Sequence, residues 1–143
     1  MTVKLSQEVL QRRVFNPYYY DLHVKEFLVG KTKQYIDPNG VVLDVGAGVD
    51  QYTRWFTKHA DNVKGYEAVP EVYEQLCKVQ NDYVNFSPFN LAVSDKPGKE
   101  KFYVDDKRLS NSSFQNLVDG YSIDVDVITL DEHCKSAHNI CFI

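Results

Sequence analysis

The stretch Val41-Val42-Leu43-Asp44-Val45-Gly46-Ala47-Gly48 decides the fold. Its first five residues are a short apolar run broken only by Asp44. Turn residues bound it on both sides: Asp37-Pro38-Asn39-Gly40 before it and Gly46-Ala47-Gly48 after it. Such a run suits a strand buried on both faces, as in a parallel sheet. A glycine-rich turn leaving such a strand lets a ligand approach the backbone closely.

Reading outward from this stretch, strands and helices alternate. A helical stretch is expected from about Gln51 to His59. Val63-Lys64-Gly65-Tyr66-Glu67 reads as a second strand. Pro70 sits where a first helical residue would, with Glu71 and Glu74 near that helix N-terminus, and the helix is expected to run to about Asn81. Phe86 to Ser94 reads as a third strand, entered past Pro88. The order strand, helix, strand, helix, strand argues for parallel, right-handed crossovers. Upstream, residues from about 4 to 36 read as two helices separated at Asn16-Pro17.

Downstream, the character becomes antiparallel. Asp95-Lys96-Pro97-Gly98 is a turn, and Lys101-Phe102-Tyr103-Val104 a short strand. Residues 105–120 are polar and loop-like. Tyr121, Ile123, Val125 and Val127 alternate with Ser122, Asp124 and Asp126, the period of a strand with one wet face. Thr129 is placed to cap a short helix, and Ile140-Cys141-Phe142-Ile143 reads as a further buried strand.

The chain's 143 residues fit one α/β domain, with N-terminal helices over 1–37 and a core over 40–143. That length is short for a full doubly wound sheet. With 43% hydrophobic and 25% charged residues, 5 prolines and 7 glycines, the composition excludes collagen-like, disordered and disulfide-scaffold classes. The net charge is −4, and basic residues are scattered, so no nucleic-acid partner is expected. Three cysteines without a Cys-x-x-Cys pair, and a polar N-terminus, suit a reduced, cytoplasmic setting. No apolar run approaches the roughly 18 residues that span a membrane.

Two acids sharpen the glycine turn. Glu67 ends the second strand, where a carboxylate can accept hydrogen bonds from both hydroxyls of a ribose. Asp44 lies two residues before the first glycine. An acid there would repel a dinucleotide's pyrophosphate, but it can hold the ammonium of S-adenosylmethionine. The dinucleotide pattern also wants a glycine three places after Gly48, where Gln51 stands. An adenosylmethionine site is therefore favoured over a nicotinamide site, which remains the weaker alternative.

Here the sequence resembles the FkbM-type methyltransferases. Val42 to Gly48, with Tyr52-Thr53 behind it, is similar to that family's first motif. The likeness continues in order through Tyr66-Glu67-Ala68-Val69-Pro70, Asn90-Leu91-Ala92-Val93-Ser94-Asp95, Ser110-Asn111-Ser112-Ser113 and Val127-Ile128-Thr129-Leu130-Asp131. The resemblance implies a Rossmann-like class I methyltransferase core. It implies cofactor contacts from Asp44, Gly46 and Gly48 at the methionine end, Glu67 at the ribose and Asn90 on the adenine side. It implies methyl transfer to an oxygen of a sugar or small metabolite.

Two departures stand out. The family usually has glycine where this chain has Asp50, and its sequences continue past the Ile140–Ile143 segment, which here implies a C-terminally shortened sheet. No general base can be named. A second polypeptide, either another copy or a partner, is expected to cover the last strand's edge. The rival function is a cofactor-binding or interaction protein that has lost catalysis.

Other readings are bland. His133, Cys134, His138 and Cys141 cluster in sequence but match no common zinc spacing, so no metal is expected. Tyr18-Tyr19-Tyr20, Trp55 and Phe56 read as core or pocket wall, and Ser110 to Ser113 as an ordinary loop.

Overall fold

In a computed structural model of the chain, the described residues are 33–49, 52–105, 112–116, 120–137 and 139–142. The two helices expected before residue 33 lie outside them, as do Asp50, Gln51, Ser110, Asn111 and His138.

A 3-10 turn at Lys33–Tyr35 leads into the expected turn, closed by Gly40 N–H donating to the Asp37 carbonyl at 2.9 Å. Strand β1 is Val41–Val45. Helix α1 is Thr53–Phe56, strand β2 is Asn62–Tyr66, and helix α2 is Pro70–Asp82. Strand β3 is Phe86–Phe89 and β4 is Ala92–Val93. Strands β5, Gly98–Asp105, and β6, Gly120–Ile128, follow, then helix α3, Leu130–His133, and strand β7, Ile140–Phe142.

Four strands form one sheet in the order β3-β2-β1-β7, all parallel. The chain steps outward from β1 through β2 to β3 and later returns on the other side of β1. This is the strand order of half a doubly wound, Rossmann-like sheet. Helices cover one face: Trp55 and Phe56 of α1 and Leu76 and Val79 of α2 pack on Val42, Val63 and Phe86. On the other face Leu43 and Tyr66 pack with Cys134, Leu130, Ile128 and Leu91. A strand with both faces covered is mostly apolar, which accounts for Val41, Val42 and Leu43 in β1.

The second sheet has the order β4-β6-β5, with β5 and β6 antiparallel. Val125 and Val127 of β6 are buried, while Ser122, Asp124 and Asp126 face water, as the alternation predicts. Lys99 pairs with Asp126 at 2.9 Å across the wet face. Val69 and Val72 at the start of α2 pack with Val104, and Val49, Phe102 and Tyr121 join this cluster. The second sheet thus stands against the glycine turn.

Two expectations need correction. Phe86 to Ser94 is not one strand. It breaks at Asn90-Leu91, and its halves join different sheets, because Ala92 and Val93 pair with Val127 and Ile128. The helix expected from Gln51 to His59 is helical only over Thr53–Phe56. It unwinds where the Asn85 amide takes the Thr57 and Ala60 carbonyls, each at 2.8 Å.

Candidate functional site

The site follows from strand register. Val45 pairs with Tyr66, and Tyr66 pairs with Phe89, so β1, β2 and β3 end in one row. The next residue of each strand is Gly46, Glu67 and Asn90. Ligands of open α/β sheets bind at the carboxyl ends of the strands, where the chain order reverses. Here that place lies at the end of β1, where β7 returns on its other side.

The glycine turn is held by backbone bonds. Gly46 (φ 72°) and Gly48 (φ 62°) adopt the left-handed conformation that glycine tolerates. The Gly46 and Ala47 N–H groups both donate to the Tyr66 carbonyl, at 2.9 and 3.0 Å. The Gly48 N–H donates to Glu67 Oε2 at 3.0 Å. The first three amides of the turn are therefore engaged within the protein.

Glu67 is buried and bridges two segments. Its Oε1 accepts from the Val69 N–H at 2.8 Å, just before α2. Burial pushes its carboxyl upward, the Val69, Gly48 and Ala68 amides act against that rise, and the charge of Asp44 adds to it. Each carboxylate oxygen keeps a second lone pair for a ligand hydroxyl. Asn90 braces this segment from below. Its amide donates to the Glu67 carbonyl at 2.8 Å and to the Ala68 carbonyl at 3.2 Å.

Asp44 is buried on the helix-covered face, one residue before the end of β1. Its Oδ2 accepts from the Thr53 hydroxyl at 2.6 Å. Burial raises its carboxyl to about 6, and the Thr53 bond opposes the rise. Two buried carboxylates that repel one another thus share one cradle, which suits a cationic ligand. Thr53 is the residue whose role the motif left unassigned. Its contact spans nine positions and joins α1 to β1.

Tyr66 ties this cradle to the opposite face. Its ring stacks on Phe89 with centroids 5.3 Å apart, and its hydroxyl lies 3.0 Å from His133 Nδ1 and 3.6 Å from Cys134 Sγ. His133 and Cys134 are thereby engaged with a core tyrosine. Among the described residues no group of His, Cys, Asp and Glu is arranged to hold a metal. Ser112 accepts from the Asp105 N–H at 3.1 Å, and Ser113 bridges to Tyr103, so both support the second sheet.

No family model matches this chain, and no curated protein does. Solved structures do resemble it. The 23S rRNA methyltransferase ErmE is 22% identical over 41% of this chain and 28% of its own, with a TM-score of 0.36. A TehB-like SAM-dependent methyltransferase from Corynebacterium glutamicum is 15% identical over 57% of this chain and 56% of its own, with a TM-score of 0.32. The DhpI–SAH complex is 14% identical over 90% of this chain and 83% of its own, with a TM-score of 0.43. The chain spans less than two thirds of the length of the first two. The site geometry carries the functional reading that follows.

Proposed function

We propose that this chain binds S-adenosylmethionine at the carboxyl ends of β1, β2 and β3 and is a methyltransferase domain of FkbM type, acting on an oxygen of a sugar or small metabolite. The observation that carries the reading is the pairing of two buried carboxylates with a glycine turn whose Gly46, Ala47 and Gly48 amides are already engaged. A dinucleotide pyrophosphate needs free N–H groups and no adjacent acid. Adenosylmethionine carries no phosphate. Asp44 would hold its ammonium and Glu67 its ribose hydroxyls, with Asn90 on the adenine side. The ordered motifs from Val42 to Asp131 support the finer assignment to FkbM type and to oxygen as acceptor atom.

The chemistry is in-line displacement at the sulfonium methyl. The protein holds an acceptor hydroxyl in line at near-contact distance, and a base removes its proton. Asp44 is committed to Thr53 and the ammonium, so it is not assigned as that base. Cys77 and Cys134 are free thiols, which goes with the cytoplasmic setting of the proposal. No helix among the described residues is long and apolar enough to cross a membrane.

A thermal-shift series with adenosylmethionine, adenosylhomocysteine and NAD tests the reading. Ligand at 100 times its dissociation constant adds about 2.7 kcal/mol, a shift of several degrees at this size. The two sulfur ligands are expected to shift the transition and NAD is not, and Glu67→Ala abolishes the shift. A shift with NAD alone, or with none of the three, overturns it. Binding without methyl transfer to any hydroxyl acceptor favours the rival, a cofactor-binding protein without turnover.

A further inference from the structure

We propose that Thr53 is a positioning residue for the ammonium end of the site: its hydroxyl fixes the Asp44 carboxylate in its charged form, ready for a cationic ligand. This rests on the adenosylmethionine reading above. The geometry is specific. Thr53 is fully buried, its hydroxyl donates to Asp44 Oδ2 at 2.6 Å, and this is a bond between two buried side chains. A hydroxyl donating to a buried carboxylate stabilises the charge and restricts the side chain to one position. Among the described residues no other side chain donates a hydrogen bond to Asp44.

The charged surroundings of Asp44 make that one donor matter. From the end of β2, Glu67 presents a second negative charge that interacts with Asp44. On α1, Arg54 lies next to Thr53 but pairs with Asp82 of α2 at 3.0 Å. Lys64 of β2 pairs in register with Leu43, and its charge acts on His133, across the sheet from Asp44. None of these groups replaces the Thr53 hydroxyl. Burial holds the Asp44 carboxyl at about 6 against the Thr53 bond, so removing that bond moves it further up.

The consequence is a pH signature. A cation binds the charged form of Asp44, so affinity falls about tenfold for each pH unit below the carboxyl's own value. Loss of one charge-assisted hydrogen bond moves that value up by about one unit.

The test is calorimetric titration of adenosylhomocysteine into the full chain between pH 5 and 8.5. Wild type is expected to lose affinity as pH falls through about 6. Thr53→Val shifts the whole curve about one unit to higher pH and regains wild-type affinity near pH 8.5. Thr53→Ser restores the donor and overlays wild type. Thr53→Ala, which adds no bulk, must shift as Thr53→Val does and serves if the latter does not fold. A merely structural hydroxyl would weaken binding equally at every pH, and that result overturns the inference. So does a donor-less variant that tracks wild type throughout. Absence of binding by wild type at every pH is a different outcome, which overturns the cofactor reading itself.

Discussion

At the residue scale, burial of Asp44 costs the folded protein stability at neutral pH. Its carboxyl rises from 3.8 to about 6 on folding, chiefly through burial. The folded state therefore holds this proton more tightly than the unfolded chain does. The contribution is fully favourable below about pH 4 and is lost as pH rises through about 6. A shift of this size costs the ligand-free protein on the order of 3 kcal/mol at neutral pH. Asp44→Asn keeps an acceptor for Thr53 and removes the buried charge. It is expected to raise the melting temperature at pH 7.5 by several degrees, with a gain that shrinks towards pH 4, and to abolish cofactor binding. Denaturation curves at the two pH values check this; a variant less stable than wild type at pH 7.5 contradicts it. That Asp44 and Glu67 flank the glycine turn was legible in the sequence, because both stand at fixed offsets from it. The bond from Thr53 to Asp44 was not, because it joins residues nine positions apart on different elements.

At the element scale, packing sets limits that local pattern does not reveal. Gly65 of β2 lies opposite Asp44 in β1 and Pro88 in β3. A Cβ there would lie 2.8 Å from the Phe86 ring, itself buried against Val63 and Leu76. Gly65→Ala must displace that ring and is expected to cost about 1–3 kcal/mol, read as a lowered midpoint in urea. An unchanged midpoint contradicts this packing. Pro88 is tolerated because β3 is an edge strand. Strands β1, β2 and β6 and helix α2 were legible because their signals are local: turn-bounded apolar runs, the alternation in β6, and Pro70 with Glu71 at the start of α2. The break at Asn90-Leu91 was not, since it is made by pairing of Ala92 and Val93 with distant β6. Likewise α1 is cut short by Asn85, 28 residues from Thr57.

At the scale of the whole molecule, a parallel sheet whose strands end in one row places Gly46, Glu67 and Asn90 side by side. The second sheet rises against the glycine turn through Val49 and Val104. The parallel core was legible from the alternation of strand and helix. The partition into two sheets depends on long-range pairing and emerges only in the structure.

The proposed ligand of this row of strand ends is a nucleoside that carries an ammonium group and no phosphate. The most direct measurement is an amide NMR titration of the full chain with adenosylhomocysteine, with NAD as comparison. Adenosylhomocysteine is expected to move the amide resonances of Gly46, Gly48, Glu67 and Asn90 together and to leave those of the distant β5 residues Lys99 to Lys101 in place. Resonances at the strand ends that stay fixed under saturating adenosylhomocysteine, or that move only with NAD, would contradict the claim.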